Sequence, residues 1–296
     1  MRRLTVATLF VLLLAACGPG EEKTALPVPT GPVAHSERVS SFDGVPIAYT
    51  VAGEGPGALL FIHGWACDRY YWASQLYDFA DTHTVVTVDL AGHGDSGAGR
   101  ADWTLQALAG DVQAVVDHLD LRSVILVGHS MGGPVALEVA RLIPDRVVGV
   151  IGVDTLHDVG VDSRDAWERI FARYEAGFSA TCTEFVKGMF LEDADAGLVT
   201  EITDDMCDIS PEVGLALLRA YSVHDLSGSL ADVEVPVRSI NGPMWPTNVE
   251  GNRRYDPDFD VLIIEGSGHF PMREKQAEFD MLLEQVIEEI TSGETI

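Results

Sequence analysis

An α/β fold, with a mostly parallel sheet covered by helices on both faces and a helical cap inserted into it, is predicted by three features of the sequence. Apolar runs of strand length alternate with helical stretches from Ala58 to Val153, the rhythm of a buried parallel sheet. One run, Val124-Ile125-Leu126-Val127, passes at once into the turn Gly128-His129-Ser130-Met131-Gly132 and then into a helix-forming stretch towards Arg141. From Thr155 to about Ser229 only helical patterns occur, and strand-like runs resume at Val235.

Each element has its own signal. Alternation over Glu37–Phe42 and Val45–Val51, with Asp43-Gly44 between, predicts an antiparallel hairpin. Ala58–Ile62 is continuously apolar, as a central strand should be, and runs into His63-Gly64-Trp65. A helix near Tyr70–Ala80 follows, then a strand Thr84–Val88 and the tight turn Gly92-His93-Gly94-Asp95-Ser96. The amphipathic stretch Leu105–Leu119 precedes the central strand, and Val147–Val153 is a further strand closing on Asp154. Within the cap, helices are expected at Asp165–Glu175, Thr183–Phe190 and Val213–Tyr221. Val235–Ile240 and Phe259–Ile264 continue the sheet, and Glu274–Ile290 has the spacing of a last helix.

The start of the chain carries a different message. Arg2 and Arg3 precede the apolar segment Leu4–Ala16, which is too short to span a bilayer and suits a signal peptide. Leu14-Ala15-Ala16-Cys17 resembles the bacterial lipobox, which implies lipidation of Cys17 and a lipid anchor in the cell envelope. Gly18 rather than Asp after the cysteine favours the outer membrane over the inner; an ordinary signal peptide is the plainer alternative. The expected organisation is therefore a lipoprotein signal peptide (1–16), a Gly/Pro-rich flexible tether (17–36), a sheet core (37–154 and 230–296) and a helical cap (155–229).

With 296 residues, 47% of them hydrophobic, the chain can bury a substantial core. Its net charge of −27 argues against nucleic acid as a partner and against docking on anionic lipid, and is read as a solvated acidic coat in preference to an acidic binding groove. Beyond Cys17, three cysteines allow at most one internal bridge. Cys182 and Cys207 share the inserted segment and are the favoured pair, with Cys67 a small buried residue. No His/Cys spacing suggests a metal, and no cofactor motif is present.

The strand–turn–helix around Ser130 has the form of a nucleophile elbow, in which the serine stands on an exposed tip and the Met131 N–H points at a developing oxyanion. A serine needs a base, expected late in the chain. Of nine histidines, His269 in Gly266-Ser267-Gly268-His269-Phe270 has the right place, after a strand and before the last helix. The second oxyanion amide is expected from Trp65, whose ring would wall the acyl pocket. His63, His93 and His129 lie in turns and are read as structural, while His118, His157 and His224 have no pattern that singles them out.

These motifs together (His63-Gly64-Trp65, Gly92-His93-Gly94-Asp95-Ser96, Gly128-His129-Ser130-Met131-Gly132 and Gly268-His269-Phe270) resemble the α/β-hydrolase superfamily over roughly residues 38–292. The resemblance implies an eight-stranded, mostly parallel sheet, a helical lid and an acyl-enzyme mechanism without cofactor. The substrate it implies is a small-molecule carboxylic ester, with lactones, thioesters, amides, C–C bonds and peroxide-dependent halogenation also open. Serine rather than aspartate at position 130 argues against epoxide hydrolase and haloalkane dehalogenase chemistry. A catalytically silent surface-binding module is the alternative of a different class.

One departure from the family pattern stands out. The acid usually follows the strand after the cap, but that region reads Ile240-Asn241-Gly242-Pro243-Met244-Trp245-Pro246-Thr247-Asn248, with Trp245 at the expected acid position. Asp154, at the tip of the preceding sheet strand, is assigned the role instead, a place where some lipases and haloalkane dehalogenases of the superfamily keep it. A Ser–His dyad, an Asn241 or Asn248 orienter, or Glu250 or Asp256 reaching in are the alternatives.

Overall fold

The computed structural model describes residues 32–161 and 164–293. The leader, Cys17 and the tether up to residue 31 lie outside the described residues. β1 (His35–Ser40) and β2 (Pro46–Ala52) form the hairpin, in register from His35↔Val51 to Ser40↔Pro46. Its turn uses Gly44 at φ 85°, where a side chain would be strained. Pairing thus begins at His35, inside the stretch given to the tether, because ladder bonds and a 2.9 Å Ser36–Thr50 hydroxyl contact hold a polar strand that local pattern leaves unmarked.

β3 (Ala58–Ile62), α1 (Ala73–Asp78) and β4 (Thr84–Val88) follow, then α2 (Leu105–His118), β5 (Val124–His129), α3 (Gly132–Leu142) and β6 (Val147–Val153). After the cap come β7 (Val237–Asn241) and β8 (Asp260–Ile263). The eight strands lie in the order β1-β2-β4-β3-β5-β6-β7-β8, parallel from β4 onwards and antiparallel at β1–β2 and β2–β4. Every residue of β3 and β5 is buried, which is why β3 and the first four residues of β5 are unbroken apolar runs. The chain leaves β3 for β4 on one side and enters β5 on the other. The loops after β3 and β5 therefore open at a switch point on the carboxyl edge of the sheet, where such folds form crevices.

Among the described residues between β6 and β7 stand five helices: α4 (Arg164–Ala176), α5 (Phe178–Lys187), α6 (Ala196–Met206), α7 (Pro211–Ser222) and α8 (Leu226–Ala231). α6 and α8 are not marked in the sequence pattern. Each is started by an aspartate cap, Asp195 accepting from the Leu198 N–H and Asp225 from the Gly228 N–H. A Cys182–Cys207 disulfide joins α5 to the end of α6, and Cys67 is free and buried. The chain closes with the short helices α9 (Val249–Asn252) and α10 (Pro271–Glu274) and the long α11 (Gln276–Ser292).

Candidate active site

Ser130 ends β5 with φ 50°, a left-handed conformation that costs a non-glycine residue about 1–3 kcal/mol. The surroundings impose it. The Ser130 N–H donates to Val153 O (3.0 Å), and its carbonyl accepts from the Thr155 hydroxyl (2.9 Å) and the Gly133 N–H (3.0 Å). A Cβ on Gly128 would lie 2.2 Å from the Gly132 carbonyl oxygen, and one on Gly132 would lie 2.5 Å from that of Ile62, so both glycines are required by contact. Gly64 is equally confined: a Cβ there would sit 3.1 Å from Ser130 Cβ, so the loop after β3 runs directly beside the serine. Trp65, next after Gly64, and Met131, next after Ser130, both line the same cavity at this point. Among the described residues neither of their amides donates to a backbone carbonyl.

Asp154 extends β6 by one residue, and its N–H donates to Ile240 O at 3.0 Å. Its φ of 45° turns the carboxylate across the carboxyl edge of the sheet. There Oδ2 accepts from His269 Nδ1 at 2.5 Å and Oδ1 from the Gly242 N–H at 2.9 Å. Burial pushes the Asp154 carboxyl up, but the His269 bond and charge, the nearby His157 and the Gly242 amide together hold it below its usual range. The His269 loop is held at four points. Its N–H donates to Met189 O (2.9 Å), its carbonyl accepts from His129 Nε2 (2.8 Å), and Glu274 accepts from the Gly268 (3.0 Å) and Phe270 (2.8 Å) amides. With Nδ1–H committed to Asp154, the imidazole has Nε2 left as its basic atom.

The alternative partners for the histidine are engaged elsewhere. Asn241 is clipped to Thr155, accepting from its N–H (3.1 Å) and donating to its carbonyl (2.9 Å). Asn248 caps α9, Glu250 faces Arg253 at 3.6 Å on the surface, and Asp256 accepts from the Asp258 amide. Trp245, at the family's acid position, sets its ring edge-on to His269 with centroids 5.2 Å apart. His157 was passed over by sequence reasoning, yet its Nε2 lies 3.9 Å from Asp154 Oδ1. Its place three residues beyond a strand-tip aspartate was the available signal. His63 and His93 serve the frame, as expected. Each accepts a backbone N–H, from Leu90 (3.0 Å) and Ala66 (3.2 Å), and burial pushes their pKa values down to about 4 and about 3.

Ser130, His269, Asp154, Met131 and Trp65 all border one cavity of about 610 Å³ beneath the cap. Its other walls are largely apolar, with Trp167, Phe185 and Met206 supplied by the inserted helices and Met189 by the turn after α5. The Trp65 indole N–H donates to Gly214 O (2.9 Å) in α7, which fixes its ring as a wall against Tyr174 and Phe185. Among the described residues no cluster of His, Cys, Asp and Glu could hold a metal ion.

A serine turn at the switch point of a parallel sheet, with a histidine and a carboxylate brought to the same cavity, defines the class as hydrolase-like. Residues 57–195 match the family described as alpha/beta hydrolase fold. The dihydrolipoyllysine-residue acetyltransferase component of the acetoin cleaving system of Cupriavidus necator is 32% identical over 257 residues, spanning 82% of this chain and 67% of that protein. The 3-oxoadipate enol-lactonase 2 of Acinetobacter baylyi is 26% identical, over 76% of this chain and 85% of that one. A thermophilic esterase from Thermogutta terrifontis shares the fold with a TM-score of 0.73 at 23% identity, covering 86% of this chain and 99% of that one. The chain belongs to the α/β-hydrolase family.

Proposed function

We propose that the protein is a serine hydrolase that cleaves carboxylic esters through an acyl-enzyme. Ser130 Oγ attacks the ester carbonyl carbon while His269 Nε2 takes its proton, and the Met131 and Trp65 amides receive the oxyanion. Collapse breaks the ester C–O bond, and the proton held on His269 leaves with the alcohol. Water then gives a proton to His269 and attacks the acyl carbon. Ser130 departs, reprotonated by His269, and the carboxylic acid is released. Asp154 keeps the imidazole in one tautomer and offsets its positive charge.

The observation that carries this reading is the 2.5 Å His269–Asp154 bond set beside the strained Ser130 turn in one apolar cavity. The name of the enol-lactonase relative, an enzyme for a cyclic ester, supports acyl C–O cleavage. A fluorophosphonate probe tests it. The intact protein should be labelled and Ser130→Ala should not; an unlabelled intact protein would instead favour the silent binding module.

We also infer export and anchoring through lipid on Cys17. The Cys182–Cys207 bond supports an oxidising compartment, where such bridges persist. Cells fed an alkyne fatty acid should label the wild type and retain it with membranes, whereas Cys17→Ser should be unlabelled and soluble. Equal labelling of the two would end the lipoprotein reading.

A further inference from the structure

We propose that the cavity selects uncharged esters with an apolar acyl group and turns away substrates bearing a carboxylate, with Asp158 as the residue that sets this selectivity. The inference rests on the hydrolase reading of Ser130. The cap-side wall of the cavity is built from Trp167, Ile170, Phe185, Met189, Met206 and Leu218. Such a wall binds hydrocarbon and offers nothing to a charge. Among the described residues that line the cavity there is no lysine or arginine. It does hold two carboxylates. Asp154 is committed to His269, whereas among the described residues Asp158 accepts only from neutral donors, Asn248 Nδ2 at 2.9 Å and the Gly160 N–H at 3.3 Å.

Asp158 also occupies a strategic place. It borders both the Ser130 cavity and an adjoining cavity of about 430 Å³, and the two share Val161, Trp167, Tyr221 and Leu226 as well. The adjoining cavity adds a second acid, Asp225, and again no lysine or arginine among its described lining residues. An anionic substrate would meet like charge where the two cavities join, and would then lose its hydration against apolar walls with no lysine or arginine among the described lining residues to offset it. His157, which lines the Ser130 cavity together with His129 and His269, does not change this. Burial holds its pKa below the ordinary value despite the pull of Asp154, so it is neutral under mildly alkaline conditions. The net charge of −27 opposes the approach of anions from further out.

The test is a matched trio at pH 8: p-nitrophenyl pentanoate, mono-p-nitrophenyl glutarate and the methyl ester of the latter. The methyl ester controls for polarity, so that only charge differs. The two neutral esters should exceed the glutarate monoanion in kcat/KM by about 100-fold or more, the scale of like charges brought together in a poorly hydrated site. In Asp158→Asn the neutral-to-anion ratio should fall by about tenfold, and in Asp158→Lys by more. A wild-type ratio near one, or a preference for the monoanion, overturns the proposal. A large ratio unmoved in both Asp158 variants, each checked for a native melting transition, overturns the assignment to Asp158. Failure of the hydrolase reading is recognised separately, because it removes both fluorophosphonate labelling and turnover of all three esters, and the selectivity proposal then falls with it.

Discussion

The acid is the residue on which sequence and family pattern diverge, and the reason is chemical. A carboxylate is needed only where the imidazole Nδ1–H can reach it, and the tip of β6 meets that requirement as well as the loop after β7. With the Asp154 carboxylate on His269 Nδ1, the loop after β7 carries Trp245, which packs against the His269 ring, and β7 ends in Asn241, which locks the Thr155 backbone. The two residues should therefore fail in different ways. Asp154→Asn should lower kcat by about 10³–10⁴-fold with an unchanged circular dichroism spectrum, because it favours the wrong tautomer. Near-normal turnover would remove it from the machinery. Asn241→Ala leaves both Thr155 backbone groups without their partner in a fully buried place, so it should cost about 2–4 kcal/mol of stability. Denaturant unfolding measures that loss; an unchanged midpoint would argue against the clip.

At the level of elements, legibility followed the strength of local periodicity. β4 and β6 coincide with the runs Thr84–Val88 and Val147–Val153, since largely buried strands draw on valine, isoleucine and threonine, whose β-branched side chains mark their limits in the sequence. The elbow was legible for the same reason, and because its glycines are fixed by contact rather than by preference. α6 was not. Its segment Ala-Gly-Leu-Val-Thr-Glu-Ile-Thr-Asp-Asp-Met has β-branched and acidic residues of low helix propensity, so packing and the Asp195 cap decide it. The approach of His157 to Asp154, and of Met189 O to the His269 amide, depends on loops meeting from distant parts of the chain, which no short-range pattern encodes. The disulfide that ties α5 to α6 closes a separation of 25 residues, for which chain entropy gives about 3.5 kcal/mol. The Cys182→Ser/Cys207→Ser double variant should melt several degrees lower, and reductant should lower the wild type equally but leave the variant unmoved. Met189 and Met206 lie on this part of the cap and border the cavity, so KM for neutral esters should rise in parallel.

For the molecule as a whole, the central sheet edge is assembled around imidazoles that must stay neutral, and this ties stability to pH. His63 and His93 each accept a backbone N–H, which a protonated ring cannot do, and His129 is buried beneath the His269 loop. Burial, above all, pushes their pKa values down to about 4, about 3 and about 3. An unfolded chain would protonate these rings near pH 6.5, so between that pH and about 4 the folded state binds fewer protons. Stability should then be complete above pH 6.5 and fall as the pH drops, by up to about 1.4 kcal/mol per pH unit for each ring. Buried carboxylates act in the opposite sense: Asp68 is pushed up to about 6, and burial also raises Asp89 and Asp111, so they offset the histidines below pH 6. The clean window lies between pH 7 and 6. Melting at high ionic strength, where the self-repulsion of a chain of charge −27 is screened, should give similar midpoints at pH 8 and 7 and a lower one at pH 6. A flat profile across that range would contradict the linkage. His93→Gln, which can keep an acceptor for the Ala66 amide without a titrating ring, should make the decline shallower.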